Sequence, residues 1–192
     1  MHAEPEHELD REPVHDPDHD PEYEPLHGPG HGPEFEEFLA ESAVISDLGH
    51  VAGLLSWDQD TYMPDGAAAG RGEQMATVSS LHHARLTSQR MAELLTALEA
   101  ANLPPHGVAA ATVREGRRAY DRATRLPSRL VEELARVGSS ARQAWARARD
   151  ANDYRVFAPE LERMIELKRE EADAVGYTTE RYDALLDEYE PG

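Results

Sequence analysis

The chain has 192 residues, a formal net charge of −19 from 38 acidic and 19 basic side chains, and no cysteine. Such a negative field repels nucleic acids and anionic membrane surfaces, so we expect neither as a partner. The lack of cysteine excludes disulfide bonds and thiolate zinc sites, and it agrees with a cytoplasmic location.

No segment is expected to cross a membrane or to act as a signal peptide. The longest uncharged apolar run, residues 48–57, has about half the length that a bilayer requires. The N-terminus is acidic and rich in proline, whereas a signal peptide begins with a basic region followed by an apolar one.

Residues 5–36 divide into eight tetrads, seven of which begin with proline. A proline every four residues removes amide donors that a helix needs and clashes with the preceding turn. High charge and few large apolar side chains leave too little burial to offset the entropy of ordering. We therefore expect residues 1–34 to form a disordered, solubilising tail, with weak metal binding by its six histidines as the alternative.

From residue 35 onward, apolar residues recur with the 3.6-residue period of helices, and no strand-like alternation occurs. The predicted helices span approximately residues 35–60, 68–86, 89–101, 106–125, 127–150, 159–175 and 182–186. Proline and glycine at 64 and 66 predict a turn, Thr87 or Ser88 a helix cap, and Gly176 a helix end. The side chains predicted to point inward include Phe35, Phe38, Val51, Leu81, Trp145 and Ile165. The expected fold class is all-α, built from antiparallel helical hairpins.

An ordered set of short segments gives the helical part, about residues 40–192, a specific resemblance to a known family. The segments are Ile45–Leu48, Leu54–Gln59, Met63–Pro64 with Gly66–Ala67, Arg71 with Glu73–Gln74 and Ala76–Thr77, Leu81 with His83, Tyr120–Thr124, Phe157–Pro159, Leu167–Glu170 and Tyr182–Gly192. Together they resemble the N-terminal part of the carboxypeptidase Taq family of metallocarboxypeptidases.

The resemblance implies a groove-shaped, all-helical enzyme that removes residues from peptide C-termini and works as a homodimer. It also implies one zinc or cobalt ion, held by the histidines of a His-Glu-x-x-His motif and by a later glutamate. No His-Glu-x-x-His occurs in the 192 residues, so no metal ligand, cofactor or catalytic residue is assigned to this chain.

Residues Trp57, Asp58 and Gln59 stand at the predicted end of the first helix. One interpretation places them in the wall of a substrate groove. The other is a buried tryptophan, with the two polar side chains holding the following turn in place.

Five arginines recur every three or four residues and form one helical face: Arg114, Arg118, Arg122, Arg125 and Arg129. In an acidic chain this stripe is expected to face anions. The candidates are acidic side chains nearby, or the acidic tail docked loosely on the stripe.

The histidines of the helical part do not predict a metal site. His82 and His83 are adjacent and point about 100° apart on a helix, so they cannot chelate one ion together. His50 follows Asp47 by three residues, but a single such pair is too few ligands for a metal centre.

Two hypotheses for function follow. In the first, residues 35–192 are the N-terminal helical region of a metallocarboxypeptidase, inactive alone and active on peptides only with the missing C-terminal region. In the second, the chain is a non-catalytic helical dimerisation or interaction module with an acidic tail.

Overall fold

The computed structural model describes residues 32–190, and this part of the chain contains helices and turns but no strand. The helices are α1 (Pro33–Thr61), α2 (Ala68–Leu86), α3 (Gln89–Ala100), α4 (Val108–Thr124), α5 (Ser128–Asp150), α6 (Ala158–Val175) and α7 (Arg181–Leu186). Short 3-10 turns lie at Asp65–Ala67 and Tyr154–Val156. The predicted all-α class is confirmed; the predicted tail lies outside the described residues, apart from its last three.

The ends of the helices follow from local chemistry that the sequence displays. The Ser88 hydroxyl accepts a hydrogen bond from the Met91 amide at 3.1 Å and caps α3. Gly176 ends α6 with a φ of 87°, a backbone angle that residues with a side chain rarely adopt. Helix α4 starts two residues later than predicted, because the Gly107 amide closes a turn onto the Pro104 carbonyl at 2.9 Å.

The largest apolar cluster joins the start of α1 to α3 and α4. Its buried residues are Phe35, Phe38, Met91, Leu94, Leu95, Leu98, Ala109 and Val113. Phe35 and Leu95 are completely inaccessible to solvent. Burying an aromatic or leucine side chain contributes about 1.5–3 kcal/mol, so this cluster fixes how α1 enters the bundle.

Elsewhere, many of the buried residues are glycines and alanines, beside the fully buried Leu130 of α5 and Leu167 of α6. Gly72 and Ala76 are two of the buried residues of α2, which packs against α5, and Cγ of Arg136 lies 3.5 Å from the position that a Gly72 Cβ would occupy. A second cluster, Ala172, Val175 and Ala184, joins α6 to α7. Small residues allow neighbouring helix backbones to approach closely.

Four side chains predicted to point inward are instead exposed: Val51, Leu81, Trp145 and Ile165, with 42–52% of their surface accessible. Periodicity identifies which residues share a face, but not whether a neighbouring helix covers that face. In α2, His83 is buried and Leu81 points away, because α5 packs on the side of Gly72, Ala76 and His83.

Helix α1 is long and apolar enough, by length and composition, to cross a membrane. The expectation that no segment approaches a membrane span is therefore wrong for α1. The uncharged run of residues 48–57 ends at charged residues, whereas the apolar helix continues past them. Core helices of soluble proteins and N-terminal signal sequences meet the same criterion. In this structure, one side of α1 packs against α2 and α3 and most of its remaining surface is exposed.

Gly116 in α4 is required by a close approach of the Phe38 ring. A Cβ at this position would lie 2.8 Å from Cζ of Phe38, which is 2% exposed and packed in the apolar cluster. Gly116→Ala should therefore lower the free energy of unfolding by about 1–3 kcal/mol, although alanine favours helices by about 1 kcal/mol.

Chemical denaturation measures this effect, with Gly70→Ala as the control. Gly70 also lies in a helix, but no atom is within 4 Å of its hypothetical Cβ. Gly70→Ala should therefore leave the free energy of unfolding unchanged or raise it. In a Phe38→Leu protein, Gly116→Ala should lower the free energy of unfolding by less than it does in the wild type. Equal losses in the wild-type and Phe38→Leu proteins would contradict the proposed clash.

Candidate functional site

The C-terminal end of α1 is held by a buried arginine from α2. The Arg71 guanidinium donates hydrogen bonds to the Leu55 carbonyl and to Oδ2 of Asp58. Its side chain is only 10% exposed, whereas that of Asp58 is 41% exposed. One arginine therefore contacts both the backbone and a side chain of α1, and a bond to the Gln74 side chain at 3.0 Å orients it.

Gln59 connects the same end of α1 to α5. Its Nε2 donates to the Ser139 carbonyl at 2.8 Å, and its Oε1 accepts from the Ser139 hydroxyl at 2.8 Å. One amide side chain thus pairs with one residue through both of its polar atoms. One helical turn further along α5, Arg142 reaches Asp60 at 2.9 Å and also bonds Ser56.

Trp57 does not share the burial of its neighbours. Its side chain is 57% exposed and stands edge-to-face against the Tyr62 ring, with the ring centroids 5.5 Å apart. The interpretation of a buried tryptophan is therefore wrong. The side chains of Asp58 and Gln59 bind Arg71 of α2 and Ser139 of α5. A role for these three residues in a substrate groove stays a prediction.

An open cleft of about 810 Å³ lies between the end of α1, α5 and the turn before α6. Its wall includes Gln59, Asp60, Met63, Arg142, Trp145 and Phe157. Of the three residues predicted for a groove wall, Gln59 lines this cleft, and Trp57 and Asp58 do not. Trp145 is half exposed here, with the Arg149 guanidinium 5.4 Å from its ring centre.

Three arginines of the predicted stripe bind the carbonyl groups that end α6 and α7. Arg125 donates to the Val175 carbonyl at 2.7 Å, and Arg122 donates to the Ala184 carbonyl at 2.9 Å. Arg118 donates to the backbone carbonyl of Asp187 and, at 3.1 Å, to its carboxylate. The last carbonyls of a helix lack partners within the helix and carry partial negative charge, so these cations satisfy both needs.

The two remaining members of the stripe also have partners nearby. Arg114 donates to the Pro105 carbonyl at 3.1 Å, and Arg129 pairs with Glu170 of α6. The structure therefore brings the whole stripe against its own neighbouring helices and loops. Docking of the acidic tail on the stripe concerns residues outside the described part, and it stays a prediction.

Glu171 is a buried carboxylate that sequence reasoning missed. It is 4% exposed, and it accepts from Arg122 at 3.2 Å and from Lys168, the chain's one lysine, at 2.7 Å. Arg122 also lies 3.5 Å from Glu188. The sequence places Glu171 on a charged helix and gives no signal that α4 covers it; the Lys168 spacing of three residues is the one hint.

The metal expected from the resemblance has no fitting set of ligands here. Among residues 32–190, no three histidine, aspartate or glutamate side chains converge to hold an ion. His50 and Asp47 lie 4.0 Å apart, but both are about 80% exposed and no third ligand joins them. No chemical step of this chain is therefore assigned through a metal.

His82 and His83 are single, partly or fully buried histidines rather than ligands. Burial lowers the pKa of His83, and a hydrogen bond with the backbone of Leu126 offsets part of that shift. Burial also lowers the pKa of His82, and the neighbouring His83 lowers it further. Both imidazoles are therefore held in the neutral form more strongly than in an unfolded chain.

Comparisons with known proteins identify one family. The model described as "Carboxypeptidase Taq (M32) metallopeptidase" matches residues 37–192. Thermostable carboxypeptidase 1 of Thermus thermophilus is 40% identical over 167 residues, covering 81% of this chain and 32% of the relative. Thermostable carboxypeptidase 1 of Pyrococcus furiosus is 30% identical over 164 residues, covering 82% of this chain and 31% of the relative.

Solved structures agree with the sequence matches. The crystal structure of a protein called BsuCP superposes with a TM-score of 0.76 at 30% identity, covering 82% of this chain and 32% of that protein. An M32 carboxypeptidase from Deinococcus radiodurans gives a TM-score of 0.65 at 30% identity, covering 84% and 32%. The chain thus spans about a third of the length of the relatives it matches.

Because Glu171 is buried, its charge should contribute more to the free energy of unfolding than the charge of Glu170. Glu171→Gln should lower the free energy of unfolding by about 1–3 kcal/mol, because Arg122 and Lys168 then lose a buried anionic partner. Glu170→Gln is the matched control, since Arg129 and Glu170 form an exposed pair that solvent screens, and its loss should matter much less. Equal losses for the two variants, measured by denaturant titration, would contradict this ranking.

The buried histidines predict a loss of stability in mild acid. Since the folded-state pKa of His83 lies below that of the unfolded chain, the unfolded state binds more protons as pH falls below about 6.5. The free energy of unfolding should therefore be retained above about pH 7 and fall as the pH drops below about 6.5, the ordinary histidine pKa.

His83→Gln should flatten this pH dependence, whatever its stability at pH 8, with His82 retaining part of the slope. His50→Gln removes an exposed imidazole and should keep the wild-type profile. Denaturant titrations at several pH values make the measurement. A profile for His83→Gln as steep as that of the wild type would rule out this assignment.

Proposed function

The chain belongs to the carboxypeptidase Taq (M32) family of metallopeptidases, and we propose that it forms the N-terminal helical part of a metal-dependent carboxypeptidase. The whole enzyme would hydrolyse peptides from their C-termini with a divalent ion, zinc or cobalt. This ion would polarise the scissile carbonyl and lower the pKa of a bound water. The match over residues 37–192, at about a third of the relatives' length, is the observation that carries the proposal.

In this proposal, the chain supplies scaffold rather than chemistry. The printed sequence contains no His-Glu-x-x-His, and residues 32–190 hold no three-ligand cluster. A peptide carbonyl bound to this chain would therefore meet no electrophile supplied by the described residues. The isolated chain is accordingly proposed to be inactive.

The described residues suit a rigid wall of a peptide groove. The cleft between α1 and α5 is open and combines aromatic side chains, Trp145 and Phe157, with polar ones, Gln59 and Arg142. Such a mixture can pack against substrate side chains and donate hydrogen bonds to an extended backbone. The hydrogen bonds between Gln59 and Ser139 hold the two sides of the cleft at a fixed separation.

A release assay tests the inactivity of the chain alone. The 192-residue protein, incubated with peptides and added zinc or cobalt, should free no C-terminal residue above the blank, because its described part offers no set of metal ligands. The full-length Thermus thermophilus relative is the positive control for the assay. Turnover that copurifies with this chain would contradict the proposal.

A chimera tests the scaffold itself. Residues 37–192 would replace the matching N-terminal third of the Thermus thermophilus relative, which is 40% identical. The proposal expects metal-dependent release of C-terminal residues by the chimera. A folded, metal-loaded chimera without this activity would show that these helices no longer serve the family's reaction.

The second candidate is a non-catalytic helical module, and one observation favours it. Helix α1 leaves large apolar side chains in solvent, including Leu54 at 66% exposure and Trp57 at 57%. Such a surface is typical of a protein–protein contact. A folded but inactive chimera, together with sharp cooperative unfolding of the isolated chain, would favour this module.

A further inference from the structure

A pocket of about 360 Å³ opens along the arginine stripe of α4, and we call it the arginine pocket. Its charged lining residues are Arg114, Arg117, Arg118, Arg122, Arg125, Asp121 and Asp187. Five positive and two negative side chains leave an excess of three positive charges in this wall. On a chain with a net charge of −19, such a wall is a candidate site for an anion.

Two of the five arginines are not balanced by a carboxylate of the described residues. The other three have such partners: Arg117 pairs with Glu99 and Asp121, Arg118 with Asp187, and Arg122 with Glu171 and Glu188. Arg114 donates to the Pro105 carbonyl instead, and Arg125 to the Val175 carbonyl. Because a carbonyl carries at most a partial charge, both guanidinium groups keep most of their positive charge.

Arg114 and Arg125 also present an open edge to solvent. Each uses Nη1 for its carbonyl bond, so the Nε and Nη2 groups have no partner within residues 32–190. This edge of a guanidinium binds a carboxylate through two parallel hydrogen bonds. Both residues are exposed, and they lie eleven positions apart, which is about 16 Å along the axis of α4. The site therefore fits an elongated ligand with several anionic groups.

A segment of the chain itself has this chemistry. Between residues 4 and 24, every even position except 14 carries Asp or Glu, and no odd position does. In an extended chain, alternate side chains lie on the same side, about 6–7 Å apart. Arg114 and Arg118 are four positions apart on α4, which is about 6 Å along the helix axis. The spacing of the acids thus matches that of the arginines, and roughly five extended residues cover the distance from Arg114 to Arg125.

The acidic segment is close enough in sequence to reach the pocket. It lies outside the described residues and precedes α1, whose Phe35 and Phe38 share the apolar cluster with Ala109 and Val113 of α4. Residues 24–33 can span about 30 Å when extended. A helix with its side chains is only about 10–12 Å wide. The connection can therefore pass around α4 from the apolar cluster to the arginine pocket.

We propose that the acidic segment, residues 4–24, binds in the arginine pocket of its own chain, where its carboxylates pair with Arg114 and Arg125. A single exposed ion pair is weak. Because the segment is tethered, its effective concentration at the pocket is on the order of millimolar, and several pairs form together. The bound segment balances the two arginines and covers the face of α4 that holds the ends of α6 and α7.

Charge favours this segment over a free polyanion. A nucleic acid or a polyphosphate would approach against the net charge of −19, whereas the segment is already attached. The prolines at positions 5, 13, 17 and 21 exclude a helix, which would point the alternating acids to all sides. An extended form keeps them on one side, where the arginines can bind them.

Paramagnetic broadening of amide NMR signals tests the proposal in the whole chain. The chain has no cysteine, so a nitroxide on the His15→Cys protein marks the acidic segment without removing an acid. The label should broaden the amide signals of residues 114–125 at low salt. At about 1 M salt, where the Debye length is about 3 Å, these signals should recover.

Substitutions of Arg114 test whether the arginine pocket is the site. Arg114→Gln should reduce the broadening by at least about half, because one two-point contact is lost. Arg114→Lys keeps the charge and should reduce it less. The matched control is Arg169→Gln, which removes an exposed arginine of α6 outside the pocket and should keep the wild-type broadening.

Three outcomes would overturn the proposal. The first is no broadening at low salt, or equal broadening in the Arg114→Gln and Arg169→Gln proteins. The second comes from an equimolar mixture of nitroxide-labelled protein without ¹⁵N and ¹⁵N-labelled protein without nitroxide. Broadening in this mixture as strong as within one chain would assign the pocket to the acidic segment of a second copy. The third is a shift of the signals of residues 114–125 on addition of pyrophosphate, without broadening by the label, which would assign the pocket to a free anion.

Discussion

The described fold depends on how the C-terminal end of α1 is attached to two other helices. Arg71 of α2 binds the Leu55 carbonyl and the Asp58 carboxylate, and Gln59 pairs with Ser139 of α5 through both of its polar atoms. Buried, charge-assisted and two-point hydrogen bonds fix orientation as well as distance. Together with the bonds from Arg142 to Ser56 and Asp60, they hold this end of α1 beside α5 and border the cleft.

Helices α4, α6 and α7 are joined in a similar way, by polar side chains that bond to backbone carbonyls far away in the sequence. Arg118, Arg122 and Arg125 project from α4 and bind carbonyls at the ends of α6 and α7. The apolar cluster between these helices is small, with Ala172, Val175 and Ala184 buried and Leu126 and Leu185 packed against them. The arginines therefore fix where α6 and α7 dock on α4, where little apolar area is buried. The arginine stripe of this acidic chain has a structural role.

Much of the fold follows from the sequence, because helices obey local rules. Helix α2 has the predicted bounds, and Ser88 and Gly176 end helices as their chemistry requires. Burial is harder to predict, because it depends on which neighbouring helix packs against a residue. Trp145 was expected inside and is half exposed, and the buried Glu171 was not singled out. The candidate groove shows the same limit. The sequence singles out Trp57, Asp58 and Gln59 as a group, but only contacts with α2 and α5 separate their roles.

The arginine contacts of α4 also set an order for assembly. The three bonds to the ends of α6 and α7 join residues 50, 62 and 69 positions apart. A ribosome releases α4 well before these partners, so its arginines remain solvated while the first helices associate. Within the described part, α7 is attached by a small apolar cluster and by these arginines. Proteases and hydrogen exchange should therefore reach α7 before the Phe38 cluster.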